Sequence, residues 1–218
     1  MKTESEVLVH HAKQLINRGF DSLGRSIDKP ILLDRYFVAA TYKAIRFCDA
    51  ILVLCEQGMT DEALPILRSL IEHSINMRWI ADKDSEKRLK AYMDDLGEKG
   101  FGAPWTETKL DKRMEDVGFG SRDYYEYCVK VTYSYAHVNA SSLKWGEVFD
   151  HPQLSKEKWS PEALYQVTAQ MLGHVLKALD THFSGHFKTY DEIWKQIKVD
   201  KNIRKKIEKI KQDLKQSN

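Results

Sequence analysis

Cysteine is scarce in this sequence, and so are the patterns that would announce strands, membranes or bound phosphate. The three cysteines, Cys48, Cys55 and Cys128, are odd in number and have no Cys-x-x-Cys spacing, which argues against a disulfide framework. Cys48 and Cys55 fall in an apolar helical run and are expected as reduced core residues. No window approaches 18 uncharged apolar residues, and the opening stretch MKTESEVLVHHAKQ has no apolar signal segment. A cytoplasmic protein with no membrane span is therefore expected. Clean apolar-polar alternation bounded by Asn-Gly or Asp-Gly turns is missing, so nothing argues for a β-hairpin. The glycine-bearing stretches GFGAPW and GFGS lack the lysine and strand context of a phosphate loop, and no Gly-x-Ser-x-Gly is present. No Glu has a His three residues later, as helical di-iron sites require. His182 and His186 are four apart, but Gly185 lies between them where their helix is expected to end. No metal and no cofactor are expected.

What is present describes an ordinary globule, with 42% apolar and 30% charged residues and a net charge of +2. The charge is unevenly placed. Residues 188–218 hold ten Lys or Arg against five Asp or Glu, so the first 187 residues are weakly acidic. The expected organisation is a helical bundle domain over 1–187 with a basic helical extension, 188–218, packed on it.

Helical periodicity runs from end to end and gives an all-α fold. A first helix is predicted near 4–18 with a stop at Gly19, and a second over 31–57 ending at Gly58. Thr60 is expected to cap a third, which runs to about residue 83 with a kink near Pro65. Shorter helices are predicted near 84–97 and 107–117, then a tyrosine-rich helix over 121–138. Ser160 followed by Pro161 starts a strong helix to about Phe183, with apolar Leu164, Val167, Met171, Val175 and Leu179. Two helices near 190–198 and 200–215 close the chain. On the last, Ile203, Ile207, Ile210 and Leu214 oppose a lysine-rich face that includes Lys205 and Lys206.

Candidate chemistry concentrates on the third helix. At about 100° per residue, Leu64, Leu67, Leu70, Ile71, Ile75 and Met77 sweep out an arc too wide for a surface helix. Arg68 sits on the edge of that arc, with Glu72 one turn on and Asn76 one turn beyond. His73 lies about 140° round from Arg68. One account of these residues is structural: Arg68 pairs with Glu72 along the helix, and His73 is a hydrogen-bonded residue on its less apolar side. The other is catalytic. An imidazole moves a proton near neutral pH, and a guanidinium stabilises charge developing on a phosphate.

The run RSLIEH, Arg68 to His73, is an Arg, four residues and a His. It resembles the signature of the HEPN superfamily, small all-α bundles many of which are metal-independent endoribonucleases of bacterial defence and toxin-antitoxin systems. Their protomers usually bring two motifs together in one cleft. A second resemblance joins this helix to YCVKVTYSYAHVNASS, 127–142. Arg68, Ser69, Leu70, Glu72, Trp79 and Ile80, then Tyr133, Ser134, His137 and Ser141, look similar to a bacterial family of uncharacterised helical proteins, domain of unknown function fifty-six seventy-seven. Together these resemblances imply a HEPN-like bundle with additional C-terminal helices. The HEPN resemblance implies cleavage of RNA by its own 2′-hydroxyl, with His73 as acid/base, Arg68 on the phosphate, and Glu72 and His137 orienting. Tyr133, Asn76, Ser69, Lys205 and Lys206 are the candidate substrate contacts. RNA, a second copy in a homodimer, and a partner protein of the same system are the expected partners. The alternative is a non-catalytic helical module for interaction or dimerisation, or a regulator that binds a nucleotide without turnover.

Overall fold

The computed structural model describes residues 3–24, 27, 29–98, 110–118 and 160–187. These form six helices and, among the described residues, no strand: α1 Glu4–Leu23, α2 Leu32–Glu56, α3 Thr60–Asp82, α4 Ser85–Glu98, α5 Leu110–Asp116 and α6 Pro161–His182. The tyrosine-rich segment 121–138, the loop after it and residues 188–218 lie outside the described residues. None of the described helices is long and apolar enough to cross a membrane.

α6 is the hub, packing against α1 and α3 along their lengths and against α2 as well. Every residue from Leu164 to Leu176 is buried, which the apolar residues expected there account for only in part. Its start follows the sequence closely: Ser160 accepts from the Ala163 N–H at 3.3 Å, and Pro161 takes the first helical position, where a missing N–H costs nothing. α3 packs on α2 and α6 and carries α4 and α5 on its far end. That end is closed by Arg88 of α4, whose guanidinium donates to the Trp79 carbonyl and lies 3.9 Å from the Trp79 ring centroid. A cation at a helix C-terminus meets the orphan carbonyls and the negative end of the dipole together.

Two expectations about helix ends need correction. The first helix does not stop at Gly19 but continues to Leu23. Gly19 is there for space. A Cβ at this position would stand 2.1 Å from Cε1 of Phe187, whose buried ring also meets Phe20 edge-on at 5.3 Å between centroids. Glycine inside a helix is unfavourable by about 1 kcal/mol, and here that cost admits an aromatic ring worth roughly 1.5–3 kcal/mol when buried. Gly19→Ala is expected to destabilise the fold by about 2 kcal/mol through overpacking, seen as a Tm lower by roughly 4–8 °C. An unchanged melt would show that the Phe187 ring can step aside.

Nor does Thr60 cap α3. The preceding residue, Met59, occupies the cap position with no side-chain bond, and Thr60 is the first helical residue and buried. The reason lies in how α2 ends. Gly58 adopts φ +75°, the Gly58 N–H bonds the Cys55 carbonyl at 3.1 Å and the Met59 N–H bonds the Leu54 carbonyl at 2.8 Å. This double closure uses Met59 to finish one helix, so the next begins at once. α3 then runs on through Pro65. Cys48 and Cys55 are free and buried, as expected, and burial pushes both thiols up to about 12.

Candidate active site

The open side of α3 is a stripe made of Glu62, Pro65, Ser69, Glu72, His73 and Asn76, each exposed or half-buried, while the helix face built of Leu64, Leu67, Leu70, Ile71, Ile75 and Met77 is sealed. Arg68 borders this stripe with 15% of its side chain exposed. Its Nε donates to Glu72 Oε1 at 2.7 Å and its second terminal nitrogen donates to the same oxygen. Glu72 keeps 43% of its side chain exposed, so the pair opens to water on the carboxylate side. Ser69 is exposed and spends its hydroxyl on the Pro65 carbonyl, at 3.0 Å.

Asn76 continues the stripe into α5, where Arg113 donates to its side-chain oxygen. Arg113 is buried, and burial holds its guanidinium down at about 10, with the Glu72 carboxylate and Tyr92 acting in the opposite sense. Two guanidinium groups therefore share the influence of one carboxylate at this end of α3. Tyr92 of α4 sits against Tyr36 of α2, with ring centroids 5.8 Å apart, and burial raises both phenols above their usual range.

His73 faces the other wall. Its Nε2–H donates to the Ala40 carbonyl of α2 at 2.7 Å, and its ring meets Phe47 edge-on at 6.1 Å between centroids. Burial, with the Lys43 ammonium adding to it, lowers the imidazole below its ordinary value, so the ring is neutral at pH 7. A carbonyl partner on Nε2 fixes the tautomer and leaves the lone pair on Nδ1, which has no hydrogen-bond partner among the described residues. The two groups thus stand on one helix, roughly 7.5 Å apart along the axis and about 140° apart around it, with exposed Ser69 between them.

Of the candidate site residues, α3 holds Glu72, Ser69, His73 and Asn76 on its open side, with Arg68 at the border. His137 and Tyr133, as well as Lys205 and Lys206, lie outside the described residues. Among the described residues, no three His, Cys, Asp or Glu side chains gather as a metal site would need.

Two polar groupings were not foreseen. His182 Nε2 lies 2.8 Å from Asp34 Oδ1, both side chains nearly buried, and the imidazole stacks on Phe37 with centroids 4.5 Å apart. The other oxygen of Asp34 accepts the Ile31 N–H at 2.9 Å, so one carboxylate closes the start of α2 and ties it to the end of α6. His186 turns to Ser22 of α1, with Nδ1 and Oγ 3.0 Å apart, which separates the two histidines that are neighbours in sequence. The second grouping is the buried stripe Gln166, Gln170 and His174 on α6, spaced at four-residue intervals that a search for polar periodicity would have found.

Compared with known proteins, residues 34–99 match the Family of unknown function (DUF5677), which covers less than a third of the chain. Neither a curated protein nor a solved structure matches. The match spans α2, α3 and α4 and so includes Arg68, Glu72 and His73; over that stretch the chain is similar to a family whose activity is not described.

Proposed function

We propose that the open stripe of α3 is the working face of an endoribonuclease that needs only side chains for its chemistry. One observation carries this: the His73 imidazole is held in a single tautomer by the Ala40 carbonyl, with Nδ1 unengaged among the described residues, and burial favours its neutral form. An oriented neutral imidazole is the form a general base requires. Nδ1 takes the proton of a ribose 2′-hydroxyl, the 2′-oxygen attacks the adjacent phosphorus, and the bond to the 5′-oxygen breaks. The imidazolium then returns a proton to the leaving 5′-oxygen, and a 2′,3′-cyclic phosphate remains. Arg68, steered by Glu72, supplies positive charge for the equatorial phosphate oxygens. The distance around α3 between Arg68 and His73 suits a cleft completed by a second copy of the chain, as the HEPN resemblance implies.

A bacterial defence or toxin role is the setting in which such an activity would act. The test is direct. Purified protein incubated with single-stranded RNA in EDTA is expected to yield fragments ending in 2′,3′-cyclic phosphate. Intact RNA, at protein concentrations where the dimer forms, would dismiss the nuclease.

A second reading is favoured by the engagement of Arg68 with Glu72 and of Asn76 with Arg113. The first braces α3 along its own length and the second fixes α5 against α3, as structural bonds do. On that reading the chain is an interaction module, and its polar stripe is the contact surface for a second copy or a partner protein.

A further inference from the structure

The exposed face of α2 bears Arg35, Ala39, Tyr42 and Arg46 at helical spacing, with Lys43 on its edge toward α3. Tyr42 is 65% exposed, far more than an aromatic ring needs for packing, and the Arg46 guanidinium lies 6.0 Å from its ring centroid. Arg35, Lys43 and Arg46 are all exposed, and among the described residues none of them has a carboxylate partner. The acidic groups nearest in sequence are occupied: Asp34 holds His182 and the Ile31 N–H, and Asp49 pairs with Lys13 of α1. Between residues 35 and 46 the charged groups exposed on this face are thus all cationic among the described residues, set around one projecting aromatic ring with Val38 and Ala39 beside it.

We infer that this face of α2 is a track for single-stranded RNA, with phosphates on Arg35, Lys43 and Arg46 and a base stacked on Tyr42. Cations that no carboxylate pairs with among the described residues match a phosphodiester chain, and an exposed ring flanked by a guanidinium is a stacking platform that any base can use. Duplex RNA does not offer a free base face, so the ring selects for a single strand. The track leads to the proposed catalytic group. The Lys43 ammonium lies 5.0 Å from the centroid of the Phe47 ring that His73 also touches, so a strand on Lys43 passes within one side chain of the imidazole.

The inference rests on the nuclease reading for its choice of RNA, and the test separates the two. Binding is measured by fluorescence anisotropy with the full chain and a labelled 2′-deoxy oligonucleotide, which lacks the attacking hydroxyl and survives. Tyr42→Ala is expected to weaken binding about tenfold. Arg35→Gln, Lys43→Gln and Arg46→Gln combined should lower the slope of log affinity against log salt by about 2, from about 0.7 per phosphate on a single strand. All four side chains are on the surface, and unchanged melting curves verify the fold. Binding with these losses but no RNA cleavage would keep the track and remove the nuclease. Cleavage whose KM is unchanged in the triple variant, or a Tyr42→Ala variant that loses only self-association in sedimentation, would overturn the track.

Discussion

Replacing His73 by glutamine is expected to abolish RNA cleavage while leaving the fold nearly as stable as the parent. The glutamine amide can still donate to the Ala40 carbonyl, so the bond between α2 and α3 survives, but it can neither accept nor return a proton at neutral pH. General acid–base catalysis contributes about 10²–10⁴-fold, and the rate should fall by that much. His73→Ala should lose as much activity and about 1 kcal/mol of stability with the hydrogen bond. Arg68→Ala leaves Glu72 in contact with water, so its stability cost stays near that of a surface ion pair, under about 1 kcal/mol, whereas loss of phosphate stabilisation should cost about 10²-fold or more in kcat. The pH profile adds a readout that a structural role would not move. Because His73 titrates below the ordinary value of about 6.5, the acid limb of kcat/KM should break below that pH. A glutamine variant that cuts as fast as the parent would take His73 out of the chemistry and leave the interaction module.

Much of the fold was legible because its signals are local. Ser160 and Pro161 specify the start of α6, and Gly58 with its left-handed backbone specifies the end of α2, from a few residues each. Gly19 misled for the opposite reason. As a helix stop it is a local signal, but its actual role depends on Phe187, 168 positions away, and nothing near Gly19 in sequence announces a ring. The candidate site divides the same way. Arg68 with Glu72 is an i, i+4 pair readable along one helix, and it is present. The direction of His73 toward Ala40 and Phe47, and the junction of Asn76 with Arg113, depend on which helices flank α3. Asp34 with His182 is farther from reach still, since 148 residues separate two groups that each look like ordinary surface polar residues. Buried Gln166, Gln170 and His174 were hidden behind the stronger apolar pattern on the same helix.

Acidification from pH 7 to pH 5 is expected to cost the fold about 2 kcal/mol, most of it through His174. This residue is buried in the middle of α6. Burial, with the Arg78 guanidinium adding to it, holds its imidazole down at about 3. In the unfolded chain it titrates near the ordinary value of about 6.5. The unfolded state therefore binds a proton that the folded state refuses, and stability falls as pH drops below about 6.5. The loss grows by about 1.4 kcal/mol per pH unit until the folded group itself begins to protonate near 3. His73, lowered in the same sense, adds to the slope over the upper part of that window. Against a total stability of about 5–15 kcal/mol, such a loss should appear as a lower urea midpoint at pH 5 with an unchanged m-value. His174→Gln is the control that isolates the cause: it fills a similar volume with a group that does not titrate, so it should be less stable than the parent at pH 7 yet lose between pH 7 and 5 only the smaller part that His73 contributes. If the variant keeps the parent's acid slope, the proton enters elsewhere and the centre of α6 is not the acid-sensitive point of the bundle.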